Sequence, residues 1–327
     1  MSQDDPIAST YNNTHRAFLQ ALLSTQTITY PTAKPLLAAI LTAQTPDRPT
    51  LPEDISQEDF ETYIDALTTQ ISPFDLEIRS TVHQTSKERI YALVNTTSDA
   101  LTQMSTTHSA DELAFLKRVL DAMFETYNTP RAEIMAIKSL QALRLARPSG
   151  EDRRRESQAA NTQGKDAGLT QVQAEKVMGT LKDEGWFELS AKGYYSLSAR
   201  ALMELRGWLV EIYNDHEEED GQDEDEEAEH VKIKFCTACK EIVTVGQRCP
   251  DVNCQGRLHG HCVKNMFRAQ QGREQCPVCK VVWTEPGAVG EKAARGDVRQ
   301  SNGGGGGRQS NGGARREEVV DEESDSE

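Results

Sequence analysis

All seven cysteines of this 327-residue chain fall between Cys236 and Cys279, and no other feature restricts its fold so sharply. They run Cys236-x2-Cys239, Cys249-x4-Cys254, His259-x2-Cys262 and Cys276-x2-Cys279, which makes four ligand pairs once His259 is counted. Four pairs suffice for two zinc ions, because zinc takes thiolate and imidazole donors and closes a structural site with four of them. An x2 spacing lets both side chains of a tight turn reach one ion. Seven unrelated buried thiols would not repeat it. A disulfide framework is disfavoured, because the opening MSQDDPIAST is polar and has no charged-then-apolar signal pattern; the chain is therefore expected inside the cell, where thiols stay reduced. No apolar run approaches the roughly 20 residues that span a bilayer, so no membrane is expected.

His261 competes with His259 for the single imidazole position. It adjoins Cys262, a poor geometry for two ligands of one ion, whereas His259 keeps the repeated spacing. His259 is the expected ligand and His261 a surface or supporting residue. His15, His83, His108, His216 and His230 stand alone and read as ordinary histidines. Around the ligands the apolar residues are few: Leu258, Val263, Met266, Phe267, Val278, Val282 and Trp283. So small a core is marginal without metal. Chelation is expected to unfold residues 233–284 and to leave the helical part intact.

Charge divides the rest of the chain. The formal net charge is −16, but residues 215–229, DHEEEDGQDEDEEAE, supply eleven acids and no Lys or Arg, leaving about −5 elsewhere. No broad basic surface for nucleic acid is visible. The expected organisation is a first helical domain at 11–100, a second at 101–213, an acidic linker at 214–232, the zinc finger at 233–284 and a disordered, glycine-rich tail at 285–327. Within that tail Ser324 and Ser326 sit among acids, a composition suited to phosphorylation.

Helical spacing marks Phe18, Leu19, Leu22 and Leu23, then TAKPLLAAIL with Pro35 at its start or as an interruption, then Phe60, Ile64, Leu67 and Ile71. FDLEIRSTV and ERIYALVN alternate as a strand pair would. The second domain repeats the pattern. Ser109 and Glu112 form a capping box ahead of Leu113, Leu116, Leu120 and Met123. Thr129-Pro130 starts a helix expected to run through Ile137, Leu140 and Leu143 to about Leu145. Residues 147–168, with Arg153, Arg154 and Arg155, read as a flexible insertion. Thr170 and Gln173 make another capping box before Ala174, Val177, Met178 and Leu181, and Gly185 stops that helix. WFEL and YYSL flank a hairpin with Gly193, and Leu202, Leu205, Leu209 and Ile212 form a closing face. Three helices followed by a hairpin, twice, is the winged-helix order. The expected fold is thus mainly α with small β-hairpins: two tandem winged-helix domains, then the zinc finger, which the resemblance given next makes a cross-brace RING-like one, and the tail.

Four cysteines, one histidine and three cysteines in that order resemble both RING variants and plant-homeodomain fingers. Glu274 stands where histone-reading plant-homeodomain fingers carry tryptophan, whereas Pro277 within Cys-Pro-Val-Cys and the following Trp283 look RING-like. With HRAFLQALL and EGWFELSAKGYYSLSARALMELRGWL included, residues 11–284 resemble the non-structural maintenance of chromosomes element 1 family. The cross-brace of that resemblance implies one zinc on Cys236, Cys239, His259 and Cys262 and a second on Cys249, Cys254, Cys276 and Cys279. It further implies a nuclear subunit of the structural maintenance of chromosomes 5/6 complex, acting in DNA repair and recombination, with a melanoma-antigen-like subunit and a kleisin subunit as partners. A RING-type ubiquitin ligase activity comes with it, which would use no catalytic side chain. By the resemblance, Ala238, Met266, Phe267, Pro277 and Val278 would dock a ubiquitin-conjugating enzyme, and Lys280 would stand where many such ligases place arginine. Lysine supplies charge without the flat bidentate fork. A non-catalytic interaction subunit is the alternative. Direct DNA contact is expected to be indirect or weak, because the candidate recognition helix TQVQAEKVMGTLKDEG carries acids as well as lysines.

Overall fold

The computed structural model describes residues 11–96, 107–148, 168–214 and 231–294. Most of the 147–168 insertion with its three arginines, most of the acidic linker, and the tail from residue 295 with Ser324 and Ser326 lie outside the described residues.

The first unit runs α1 (Asn13–Thr25), β1 (Thr27–Thr29), α2 (Tyr30–Gln44), α3 (Gln57–Ile71), β2 (Leu76–Val82) and β3 (Arg89–Asn95). Each helix starts on a polar cap that satisfies backbone donors otherwise left open at a helix start. The Asn12 side chain accepts from the Thr14 amide, and Ser56 and Asp59 exchange bonds as a capping box. For α2 the cap is Thr29, so the helix begins one turn before Pro35 and carries that proline inside. The apolar faces of α1 and α3 meet over the sheet: Phe18, Leu22, Phe60 and Leu67 have no exposed surface. Leu23 differs from expectation and is 56% exposed. The antiparallel sheet has the order β1-β3-β2.

The second unit repeats this order with α4 (Ala110–Asp121), β4 (Ile137–Lys138), α5 (Ser139–Arg144), α6 (Gln171–Asp183), β5 (Phe187–Leu189) and β6 (Tyr194–Leu197). Its sheet order, β4-β6-β5, matches the first. The Ser109/Glu112 and Thr170/Gln173 capping boxes form, and Gly185 ends α6 at φ +76°, a backbone conformation that favours glycine. The chain then closes with α7 (Ala199–Glu204) and α8 (Arg206–Asn214).

Two expectations for this unit are corrected. The helix expected from Thr129 to about Leu145 is confined to α5. Before it, the Ala132 amide turns back to Thr129, Asn128 bridges Glu133, and Met135 adopts φ +46°, so the backbone leaves helical geometry. Leu140 consequently points outward, 71% exposed. The closing face also shifts: Ile212 is 44% exposed, and Tyr213 is buried in its place, its hydroxyl donating to Asp121 at 2.9 Å.

The finger adds β7 (Gly246–Arg248), β8 (Arg257–Leu258), α9 (Val263–Ala269) and β9 (Gly287–Val289), in the order β8-β7-β9. The tail boundary at 285 is therefore too early, since β9 completes this sheet and residues up to 294 are placed. The expected finger core is corrected too. Val278 and Val282 are each 53% exposed, while Ile233, Ile242, Val243 and Val289 are buried. These side chains belong to one continuous core with Phe124, Leu209 and Tyr213 of the second unit, whereas the first unit keeps a core of its own.

Between the first unit and the rest, Met203 packs on Ala92 and Val94. The β2–β3 loop adds polar contacts. His83 Nε2 lies 3.0 Å from the Glu188 carboxylate, and Gln84 donates to the Ile242 carbonyl and accepts from the Thr244 and Val245 amides. Glu188 holds the His83 pKa above its ordinary 6.5 against the opposing effect of burial. A histidine raised on folding stabilises fully below its unfolded pKa, and that contribution is lost as pH rises through the raised value. The loop is therefore expected to be better protected from hydrogen exchange, relative to the first unit's core, at about pH 6 than at about pH 8. Glu188→Gln should remove the difference; an unchanged difference would rule out this pair as its source.

Candidate metal centres

The two Cys-x2-Cys segments fold into the same turn. The Cys236 amide donates to the Glu241 carbonyl and the Lys240 amide returns to Cys236; the Cys276 amide donates to Val281 and the Lys280 amide returns to Cys276. Each turn closes on a lysine at positive φ, +63° for Lys240 and +65° for Lys280. The shape points both sulfurs of a pair inward. Pairing of β7 with β8 sets the segment that leads into Cys249 beside the one that leads into His259.

Eight side chains converge into two groups as a result: Cys236, Cys239, His259 and Cys262, and Cys249, Cys254, Cys276 and Cys279. Within each group all ligand atoms lie within 4.8 Å of one another. Cys249 Sγ is 3.5 Å from Cys279 Sγ, and Cys254 Sγ is 3.6 Å from Cys276 Sγ. A tetrahedral ion with metal–sulfur bonds of about 2.3 Å sets sulfurs roughly 3.8 Å apart, so zinc fits both groups. Burial pushes the Cys249, Cys254 and Cys262 thiols up. An ion bound among them would displace the protons these buried thiols otherwise keep.

His259 is oriented for its role. Its Nε2–H donates to the Ile242 carbonyl at 3.1 Å, which leaves Nδ1 as the free donor, 3.2 Å from Cys239 Sγ. His261 stays outside both groups, stacked on His259 with ring centroids 5.0 Å apart. Gly256 sits where no side chain fits: a Cβ there would approach Cys276 Sγ to 2.6 Å and Cys254 Sγ to 3.4 Å. Gly256→Ala is expected to expel the second zinc, and elemental analysis should then find about one ion per chain. Two retained ions would contradict the tightness of this contact.

The positions expected to dock a conjugating enzyme are spread over the outer surface of the finger. Ala238 and Val278 are exposed, and Met266, Phe267 and Pro277 are half-buried. Lys280 is exposed, with its ammonium donating to the Pro277 carbonyl at 2.9 Å.

Four charged residues that spacing did not single out lie under the centres. Glu133 has no exposed surface and binds Lys234, Arg257 and, at 3.8 Å, Arg248, all from the finger. Burial works to raise its pKa, but Arg257 and Lys234 outweigh that and hold it at about 2. The signal that was available is Arg248 and Arg257 flanking ligand pairs in a segment short of apolar residues. On the other side of the finger, Arg206 donates to the Lys240 carbonyl and stacks over Phe235.

Residues 15–205 match the family described as Nse1 non-SMC component of SMC5-6 complex, and residues 236–279 match a RING-like domain. The chain belongs to the Nse1 family. The human non-structural maintenance of chromosomes element 1 homolog is 22% identical over 223 residues, 68% of each protein. A solved chain titled Nse1-Nse3-Nse4 complex shares the fold with a TM-score of 0.60 at 20% identity, covering 87% of this chain and 99% of that one. Bovine anaphase-promoting complex subunit 11 is 31% identical over 61 residues, 18% of this chain and 73% of that protein. Family membership accounts for the order of the elements as well as the ligand pattern: a mostly helical body with small sheets, ending in a RING-like, two-zinc finger.

Proposed function

We propose that this chain is a RING-type ubiquitin ligase subunit of the SMC5-6 complex. It would work in the nucleus in DNA repair and recombination, through two winged-helix units and the zinc finger. The observation that carries the reading is the disposition of apolar side chains on the finger. Both zinc groups have four ligands, so no coordination position is left for a reacting molecule. Yet Ala238 and Val278, at the tips of the two cysteine turns, remain exposed, with Met266, Phe267 and Pro277 half-covered. Such a surface holds a partner and carries out no bond chemistry of its own. A conjugating enzyme bearing a ubiquitin thioester would dock there. The amine of a substrate lysine attacks the thioester carbonyl, the C–S bond breaks to release the conjugating enzyme's cysteine as thiolate, and the amine gives up its proton as the amide forms; the finger's contribution is to restrict the thioester beforehand to reactive arrangements. Lys280 would contribute charge at the rim.

The melanoma-antigen-like and kleisin partners follow from family membership and from the fold shared with a chain of a complex titled Nse1-Nse3-Nse4. A second reading, a non-catalytic brace, draws on the core that the finger shares with the second unit. Reconstituted ubiquitin-chain formation separates the two. Pro277→Ala or Val278→Glu is expected to lower it at least about tenfold while zinc content stays at two ions per chain, the cost of losing a contact at the centre of an interface. Full activity in both variants, or no activity with any conjugating enzyme even when the partner subunits are present, would favour the brace.

A further inference from the structure

Lys234, Arg248 and Arg257 are each at least nine-tenths buried, and among the described residues Glu133 is the carboxylate they share. Three buried cations against one anion leave a surplus that carbonyl dipoles soften but do not neutralise. Arg257 also donates to the carbonyls of Cys254 and Gly256, both at 2.8 Å, and Arg248 to those of Pro130 at 2.7 Å and Val252 at 3.0 Å. Buried unbalanced charge is costly. The missing anion is close at hand. Four thiolates around one divalent cation carry a formal charge of about −2. Arg248 donates to Val252, inside the Cys249–Cys254 loop, and Arg257 to Cys254 itself, so both guanidinium groups are anchored on the loop that carries two ligands of the four-cysteine site.

We propose that the buried cations of the finger serve two anions at once, Glu133 of the second unit and the zinc-loaded four-cysteine site, so that zinc binding and the fold of the second unit around Glu133 are one cooperative event. The backbone joins in the same place. Glu133 pairs in parallel with Val289 of β9 and accepts from the Gly290 amide at 2.8 Å. Asn128 donates to the Lys232 carbonyl, and the Asn214 carboxamide accepts from the amides of Lys232 and Ile233. When zinc leaves, the finger loses its shape, Lys234, Arg248 and Arg257 are no longer held against Glu133, and Glu133 then lies buried beside nothing that compensates it. The first unit has a separate core and no part in this cluster. This revises the expectation that zinc removal leaves the whole helical part intact.

Hydrogen exchange of the full chain before and after removal of both ions by a chelator tests the coupling. Amides of residues 128–138 and of α8 are expected to lose protection together with the finger, while α1 and α3 keep theirs. Unchanged protection at 128–138 and α8 would overturn the proposal. The role of charge is tested by Arg257→Met and Arg257→Lys. In Arg257→Met, one of the two zinc ions should leave at a chelator concentration roughly 10- to 100-fold lower than in the unaltered chain, the range expected when a group supporting metal ligands is lost. Arg257→Lys should retain most of the zinc grip. Equal zinc release from both variants, or release of both ions together, would show that shape and not charge is what Arg257 supplies.

Discussion

Cys276→Ala is expected to reduce bound zinc from two ions per chain to about one and to unfold the second half of the finger, not merely to loosen it. Cys276 is fully buried, lies 3.6 Å from Cys254 Sγ, and anchors its turn through the bond from its amide to Val281. Three remaining sulfurs do not close a tetrahedral structural site. A structural zinc site contributes about 10–16 kcal/mol of apparent binding energy to folding, comparable with the whole net stability of an ordinary domain, about 5–15 kcal/mol. The finger's own apolar content cannot replace that: Val278 and Val282 face solvent, and the buried residues Ile233, Ile242 and Val289 hold their places by packing on the second unit. Because ligand pairs alternate along the chain, the surviving ion on Cys236, Cys239, His259 and Cys262 would pin only the first half of the finger. Limited proteolysis should cut between Cys262 and residue 294 in the variant and not in the unaltered chain, alongside a zinc measurement. A variant that holds two ions, or resists proteolysis with one, would contradict the cross-braced arrangement.

The parts of this fold that were legible in the sequence are those governed by neighbours in the chain. Ser109 with Glu112 and Thr170 with Gln173 announce helix starts because both partners of each cap lie within one turn. The x2 spacing of three ligand pairs carries its meaning locally as well, since two donors of one turn must reach one ion. What stayed hidden depends on residues far away. Thr129-Pro130 looks like a helix start, but Glu133 is drawn to Lys234, Arg248 and Arg257, about a hundred positions downstream, and a strained turn at Met135 wins over local helix preference. A lone glutamate in that stretch reads as a solvated side chain. Val282 failed as a core residue for a similar reason: composition shows that the finger is poor in apolar side chains, but which of them are covered is decided by the surface of the second unit. His83, read as ordinary, became a junction residue only because folding brings Glu188 to it.

Phe60→Ala is expected to destabilise the first unit by about 3–5 kcal/mol, the usual cost of deleting a buried aromatic ring. Phe60 has no exposed surface and sits at the centre of an aromatic cluster, edge-on to Phe18 at 6.2 Å and to Tyr91 at 4.9 Å. The cavity left behind is walled by three helices and a sheet, so it collapses poorly. In a unit of this size the loss lowers the melting temperature by on the order of 15 °C or more. The effect should stop at the boundary between cores. Met203 against Ala92 and Val94 is a small apolar contact, and the other links among the described residues, which include Arg79 to the Met203 carbonyl, the Asn95 backbone to Glu204, His83 to Glu188 and Gln84 to the Ile242–Val245 backbone, are polar. Links of that kind contribute roughly 0.5–1.5 kcal/mol each, too little to carry a collapse of the first unit into the finger. Calorimetry of the variant should therefore show an early first transition followed by a later one near its original temperature, with two zinc ions still bound after the first. Release of zinc in the early transition would mean that the two cores melt as one, and that the polar junction couples them more strongly than its contacts account for.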